Sequence, residues 1–173
     1  MSFFNTIYME KIIPSKLFAI LRIAFGFIFF WAFLDKMFGL GFSTAADKSW
    51  LSGVSPTKGF LSMGVNANGP LPDFFNSIAG SGLVDWLFMM GLLCIGLAMI
   101  LGIGFRLAGF FGAILMFLMW FALVPSKNNP LVDDHVIYFF LFLIFRELPV
   151  GDTFGLGRWW KSTPLVKNYP WLR

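Results

Sequence analysis

The sequence predicts an all-α integral membrane protein, an antiparallel four-transmembrane-helix bundle with a long extracytoplasmic insert between helices 1 and 2. Three observations predict it. Of 173 residues, 58% are hydrophobic, 20% aromatic and 13% charged, where soluble domains carry roughly 25% charge. The apolar residues gather into runs at about 17–37, 83–103, 107–124 and 130–148, each close to the length a helix needs to cross hydrocarbon. Glycine- and proline-bearing connections separate the runs, and only the first connection is long.

The first run looks at first like a secretory leader but is not expected to be one. Leu17 to Leu34 exceeds the usual apolar stretch of about 7–15 residues, and Asp35-Lys36 stands where a small-residue cleavage site would be. It is read as an uncleaved span, entered from an interfacial lead-in with Glu10, Lys11 and Lys16, and begun at Pro14-Ser15. At 100° per residue Arg22, Gly26, Phe29, Phe33 and Lys36 share one side. The two cations then lie about 21 Å apart along the axis, where either can snorkel to a headgroup layer.

Residues 39–82 are expected to form short surface helices that cover the bundle as a lid. Glycines and prolines punctuate them, Trp50-Leu51, Phe60-Leu61 and Phe74-Phe75 are apolar anchors, and Ser55-Pro56 reads as a helix start. The second run places Gly91, Ala98 and Gly102 on a face with Ile95, and the third carries Gly109 and Ala113. Small-residue stripes of this kind let helices approach closely in lipid. Cys94, the single cysteine, reads as a small core residue, and one cysteine excludes an internal disulfide or a cysteine cage for zinc or iron–sulfur.

The fourth run begins at the densest ionisable cluster in the chain, Asp133-Asp134-His135. Asn129 as cap and Pro130 at the first helical position would extend its helix to about Leu148. Acids in a first turn are stabilised by the helix dipole. They can equally handle protons together with the only histidine. The His-pair spacings of metal sites are missing, so no bound metal is expected, and no nucleotide fingerprint or nucleic-acid motif is present.

Four spans put both termini on one side. Lys11, Lys16, Arg106, Arg146, Arg158, Lys161, Lys167 and Arg173 fall there, against Lys36, Lys48, Lys58 and Lys127 on the other. The positive-inside rule therefore predicts a multi-pass protein of the inner or plasma membrane with cytoplasmic termini. Residues 149–173, with Trp159-Trp160 beside cations, become a cytoplasmic interfacial tail. The whole of 1–173 is one membrane domain.

Several elements together resemble the DoxX/DoxD-like family. They are Arg22-Ile23-Ala24-Phe25-Gly26 with the later Asp35-Lys36, Ser55-Pro56-Thr57-Lys58-Gly59-Phe60-Leu61, the Gly102-to-Arg106 turn, and Asn129-Pro130-Leu131-Val132-Asp133-Asp134-His135. The resemblance runs from about Ser15 to Trp160 and implies a four-helix membrane bundle. Its DoxD side implies a subunit of a thiosulfate:quinone oxidoreductase, with quinone as a diffusible co-substrate. It also implies further membrane or extracytoplasmic subunits beside the lipid bilayer.

The sequence-level expectation is a membrane oxidoreductase subunit passing electrons from a small sulfur anion to quinone. His135, Asp134 and Asp133 are its candidate proton-handling residues. Arg22, Lys36 and Asp85 are the candidates for binding substrate or quinone, with Lys36 expected near Asp85 and the acids of the fourth helix. The alternative is a non-catalytic accessory subunit of a larger respiratory or electron-transfer complex, because small-residue faces and aromatic helices serve packing equally well.

Overall fold

The computed structural model describes residues 15–148 and 150–172. The lead-in residues Glu10, Lys11 and Pro14, as well as Pro149 and Arg173, lie outside them. Every regular element among the described residues is helical: α1 (Ser15–Phe38), α2 (Pro72–Ser77), α3 (Gly82–Leu101), α4 (Phe105–Leu123), α5 (Asp134–Glu147), α6 (Gly157–Ser162) and α7 (Pro164–Asn168). Short 3₁₀ turns and one π-turn, Phe60–Gly64, fill part of the connections.

Three helices, α1, α3 and α4, are long and apolar enough to cross a membrane. Their outer surfaces expose Phe27, Leu87, Phe110, Phe111 and Leu118, residues that need a lipid solvent rather than water. Cys94 is exposed as well. The expected core position is therefore corrected: the inward stripe of α3 is Met89, Leu92, Ile95, Gly96 and Met99, and Cys94 falls off it.

Glycine sets how closely α1 and α3 pack. A Cβ on Gly26 would lie 2.6 Å from the Met99 Cβ, and one on Gly96 would lie 2.6 Å from the Phe30 backbone nitrogen. The contact glycine of α3 is thus Gly96. Gly91 has open space around it, so the expected Gly91–Ala98 stripe is displaced around the helix. On α4 the expectation is closer: Gly109 and Ala113 are buried. A Cβ on Gly109 would meet the Arg146 Cβ at 2.6 Å, and one on Gly112 would meet the Phe142 ring.

Gly102 (φ 77°) ends α3, and Gly104 (φ 62°) begins α4. Two left-handed residues reverse the chain within three positions, which glycine alone does without Cβ strain. The core between α1 and α5 is aromatic. Phe25 lies 4.7 Å from Phe142 and 5.9 Å from Phe145 between ring centroids, and Tyr138 meets Phe25 edge-on at 5.3 Å.

The fourth apolar run forms a shorter helix than expected. α5 has 14 residues, about 21 Å of rise against roughly 30 Å of hydrocarbon. The expected cap is also wrong. Asn129 directs its Oδ1 to the N–H groups of Leu131 (3.0 Å) and Val132 (3.1 Å), a side-chain turn that holds residues 129–132 out of the helix. Asp133 caps α5 instead, from an extended backbone.

Residues 39–81 fold against one end of α3 and α4. Leu61, Phe75 and Ala122 form a second small core there. Asn66 fastens it from above, its N–H reaching the Ala122 carbonyl at 2.9 Å and its Nδ2 the Pro125 carbonyl at 2.5 Å.

Candidate functional site at the start of α5

Asp133 does two jobs with one carboxylate. Its Oδ1 accepts the N–H groups of His135 (3.0 Å) and Val136 (3.2 Å), closing the first turn of α5. Its Oδ2 lies 3.0 Å from His135 Nδ1. The cap is fixed by backbone bonds, so the carboxylate in turn fixes the imidazole. When Nδ1 carries the hydrogen and donates it to Asp133, Nε2 is left as a proton acceptor. The pair is partly open: the His135 side chain is 20% exposed and that of Asp133 18%. One turn further in, Tyr138 joins this end of α5 to the aromatic core through Phe25 and Phe29.

The other expected site residues divide sharply. Asp134 is exposed, and its side chain forms no hydrogen bond or ion pair among the described residues. The proton partner of His135 is therefore Asp133 and not Asp134, because the capping geometry turns the first acid inward. Lys36 is half-buried. It stands seven residues beyond Phe29 and so continues the stripe of α1 that faces α5, about 10 Å nearer the His135 end. Its expected pairing with Asp85 does not occur. Among the described residues the ion pairs are His135–Asp133, Arg146–Glu147 and Lys161–Asp152, so Lys36 is a half-buried cation outside any ion pair, with the Asp35 carboxylate as its neighbouring charge.

Asp85 is buried and bonded through one carboxylate oxygen. It accepts the hydroxyls of Ser55 (2.8 Å) and Thr57 (2.5 Å) and the N–H of Thr57 (3.3 Å). Ser55 Oγ also receives the Lys58 N–H at 3.1 Å, so the Ser55-Pro56-Thr57 element is a local cap whose free hydroxyl bond is spent on α3. Asp85 is a clasp between residues 55–57 and α3 through Oδ1, which takes all three bonds.

Arg22 is held by the chain through its two terminal nitrogens, while its buried Nε has no partner among the described residues. Fully buried, it donates from one terminal nitrogen to the carbonyls of Met99 (2.6 Å) and Ile100 (3.0 Å) and from the other to those of Thr153 (3.1 Å) and Phe154 (2.9 Å). Its guanidinium lies 5.8 Å from the Phe105 ring centroid. The carbonyls at the end of α3 carry the negative end of that helix's dipole. Arg22 neutralises it and ties α1, α3 and the chain beyond α5 into one knot.

Sequence reasoning missed Asp35. It is buried and accepts from Phe42 N (3.2 Å), Ser43 N (2.9 Å) and Ser43 Oγ (2.6 Å). A signal existed: an acid in the last turn of a span, followed by Gly39, Gly41 and Ser43, is suited to gather the N–H groups of a tight turn.

No protein family, curated protein or solved structure matches this chain.

Proposed function

We propose that this chain is the membrane subunit of a quinone-linked oxidoreductase of DoxD type, in which the Asp133–His135 pair exchanges protons with quinone and a small sulfur anion supplies the electrons. The observation that carries the reading is the oriented imidazole at the open end of an apolar bundle, 3.0 Å from a carboxylate locked in place as a helix cap. A carboxylate that fixes one ring nitrogen leaves the other ready to give or take a proton. Lys36, half-buried on the stripe of α1 facing α5 and in no ion pair, is suited to attract an oxyanion toward the same end, against the pull of the neighbouring Asp35.

The chemistry balances without a further reactant. Two thiosulfate ions each lose one electron and join through a new S–S bond as tetrathionate. The quinone takes those two electrons and two protons to become quinol. His135 Nε2 delivers a proton to a quinone oxygen and is recharged from water, with Asp133 holding the imidazolium.

In this reading α5 is the fourth span. It runs antiparallel to α4 for its whole length: Leu131 accepts the Trp120 indole N–H at 2.9 Å, and Gly109 meets Arg146. The non-helical residues 131–133 thus extend the depth that the short helix covers. Counting the cations at the two ends puts the termini in the cytoplasm of an inner or plasma membrane, and residues 39–82 with His135 outside it. Quinone reduction by the purified protein, with its natural partners and thiosulfate, tests the reading. His135→Ala and Lys36→Ala should each lower turnover while leaving the protein folded.

The accessory-subunit reading is favoured by one observation. Arg22, Asp35 and Asp85 each bond backbone or hydroxyl groups of the chain itself, as a scaffold would. Turnover that persists in the partners after this chain is removed would establish it.

A further inference from the structure

At the end of the bundle opposite His135, the turn between α3 and α4, the end of α5 and the start of α6 surround a cleft of 190 Å³. Three cations line it, Arg106, Arg146 and Lys161, with Glu147 as the one acid. Lys161 is held by Asp152 at 2.9 and 3.0 Å, and Arg146 Nε stands 3.6 Å from Glu147 Oε1 across an exposed pair. Arg106 contacts no carboxylate among the described residues.

Two further features favour an anion here. Gly104 caps α4 without a side chain, so the first N–H groups of that helix remain available beside Arg106. Depth is the other. Phe105 begins a helix able to cross a membrane, and Trp160 lines the cleft, a residue suited to the headgroup layer. The cleft therefore opens where lipid phosphates lie.

We infer that this cleft binds a phosphate oxyanion, with Arg106 and Arg146 as its principal contacts. The phosphate can belong to an anionic phospholipid or be free in solution. Guanidinium groups match it in shape, offering paired N–H donors to two oxygens at once.

The test is native mass spectrometry of the full chain released from mixed phosphatidylglycerol and phosphatidylcholine nanodiscs, with inorganic phosphate as the soluble probe. The wild type should retain one phosphatidylglycerol in excess over phosphatidylcholine. The pair Arg106→Gln with Arg146→Gln should bind about tenfold more weakly, whereas Lys127→Gln, at the other end of the bundle, should not change retention. Gly104→Asp is the second variant. A side chain there meets open space but carries the strain of a left-handed backbone, which aspartate bears better than most residues; its carboxylate should occupy the anion position and displace the lipid, with the melting temperature recorded to show that the fold is kept. Retention that millimolar inorganic phosphate leaves intact identifies a lipid headgroup. Arg106-dependent binding of inorganic phosphate that also abolishes lipid retention identifies the free ion. Equal phosphatidylglycerol excess in wild type and both variants, with no phosphate binding, overturns the inference.

Discussion

Arg22 and Asp85 show how a membrane bundle uses charge that lipid would otherwise reject. Each bonds several groups of the opposite polarity drawn from distant sequence, so removal leaves several buried partners unpaired at once. Arg22→Met should destabilise the protein by about 3 kcal/mol, since four carbonyls lose charge-assisted bonds. Thermal unfolding in detergent measures it. Arg22→Lys should recover only part of the loss, because one ammonium cannot span both carbonyl pairs. A methionine variant that melts with the wild type would show that the knot is dispensable.

Asp85→Ala should act locally. The two hydroxyls and one N–H it accepts belong to Ser55 and Thr57. Their release should raise local opening of residues 39–81 by about 2 kcal/mol, roughly thirtyfold. Limited proteolysis reads this as faster cleavage within that segment while the bundle stays intact. Both residues were visible in the sequence as ionisable groups in or beside apolar runs, but their partners were not. Carbonyls at 99, 100, 153 and 154 have no sequence signature, and a hydroxyl pair thirty residues away can be found only once the chain is folded.

Among the elements, glycine contacts decide the packing of α1 on α3. Gly96→Ala drives a methyl group against the Phe30 backbone and should cost about 1–3 kcal/mol. Gly91→Ala, on the same helix in open space, should be neutral or stabilising by about 0.5–1 kcal/mol. Equal melting temperatures for the two variants would contradict this packing. The first three apolar runs were legible because length and composition alone define a helix able to cross lipid. The face of α3 was not. In lipid all sides are apolar, so periodicity carries little information about which glycine faces a neighbour. The start of α5 was misplaced for a different reason: Asn129-Pro130 satisfies helix-start chemistry, yet Asn129 closes a turn of its own and leaves Asp133 to cap.

For the whole molecule, the proposed crossing by α5 has a direct topological consequence. With Cys94 replaced by serine, single cysteines at Lys127 and Lys167 should react with a membrane-impermeant maleimide from opposite faces of sealed vesicles. Labelling of both from the same face would mean that α5 turns back within the bilayer. Such a crossing would set Asp133–His135 and the Arg106 cleft on opposite sides, one end for proton exchange and the other for phosphate. The pairing of Asp133 with His135 was only half legible. The sequence placed three ionisable groups together, but only the cap geometry selects the first acid over the second.

If His135, held by Asp133, passes protons to quinone, thiosulfate-dependent quinone reduction by the purified protein with its partners will show it. Two thiosulfate ions should be consumed for each quinone reduced. Turnover should fall by about 10²–10⁴ for His135→Ala, with an unchanged melting temperature, and change little for Asp134→Ala. A wild type without turnover, or a His135→Ala variant that turns over at the wild-type rate, would contradict it.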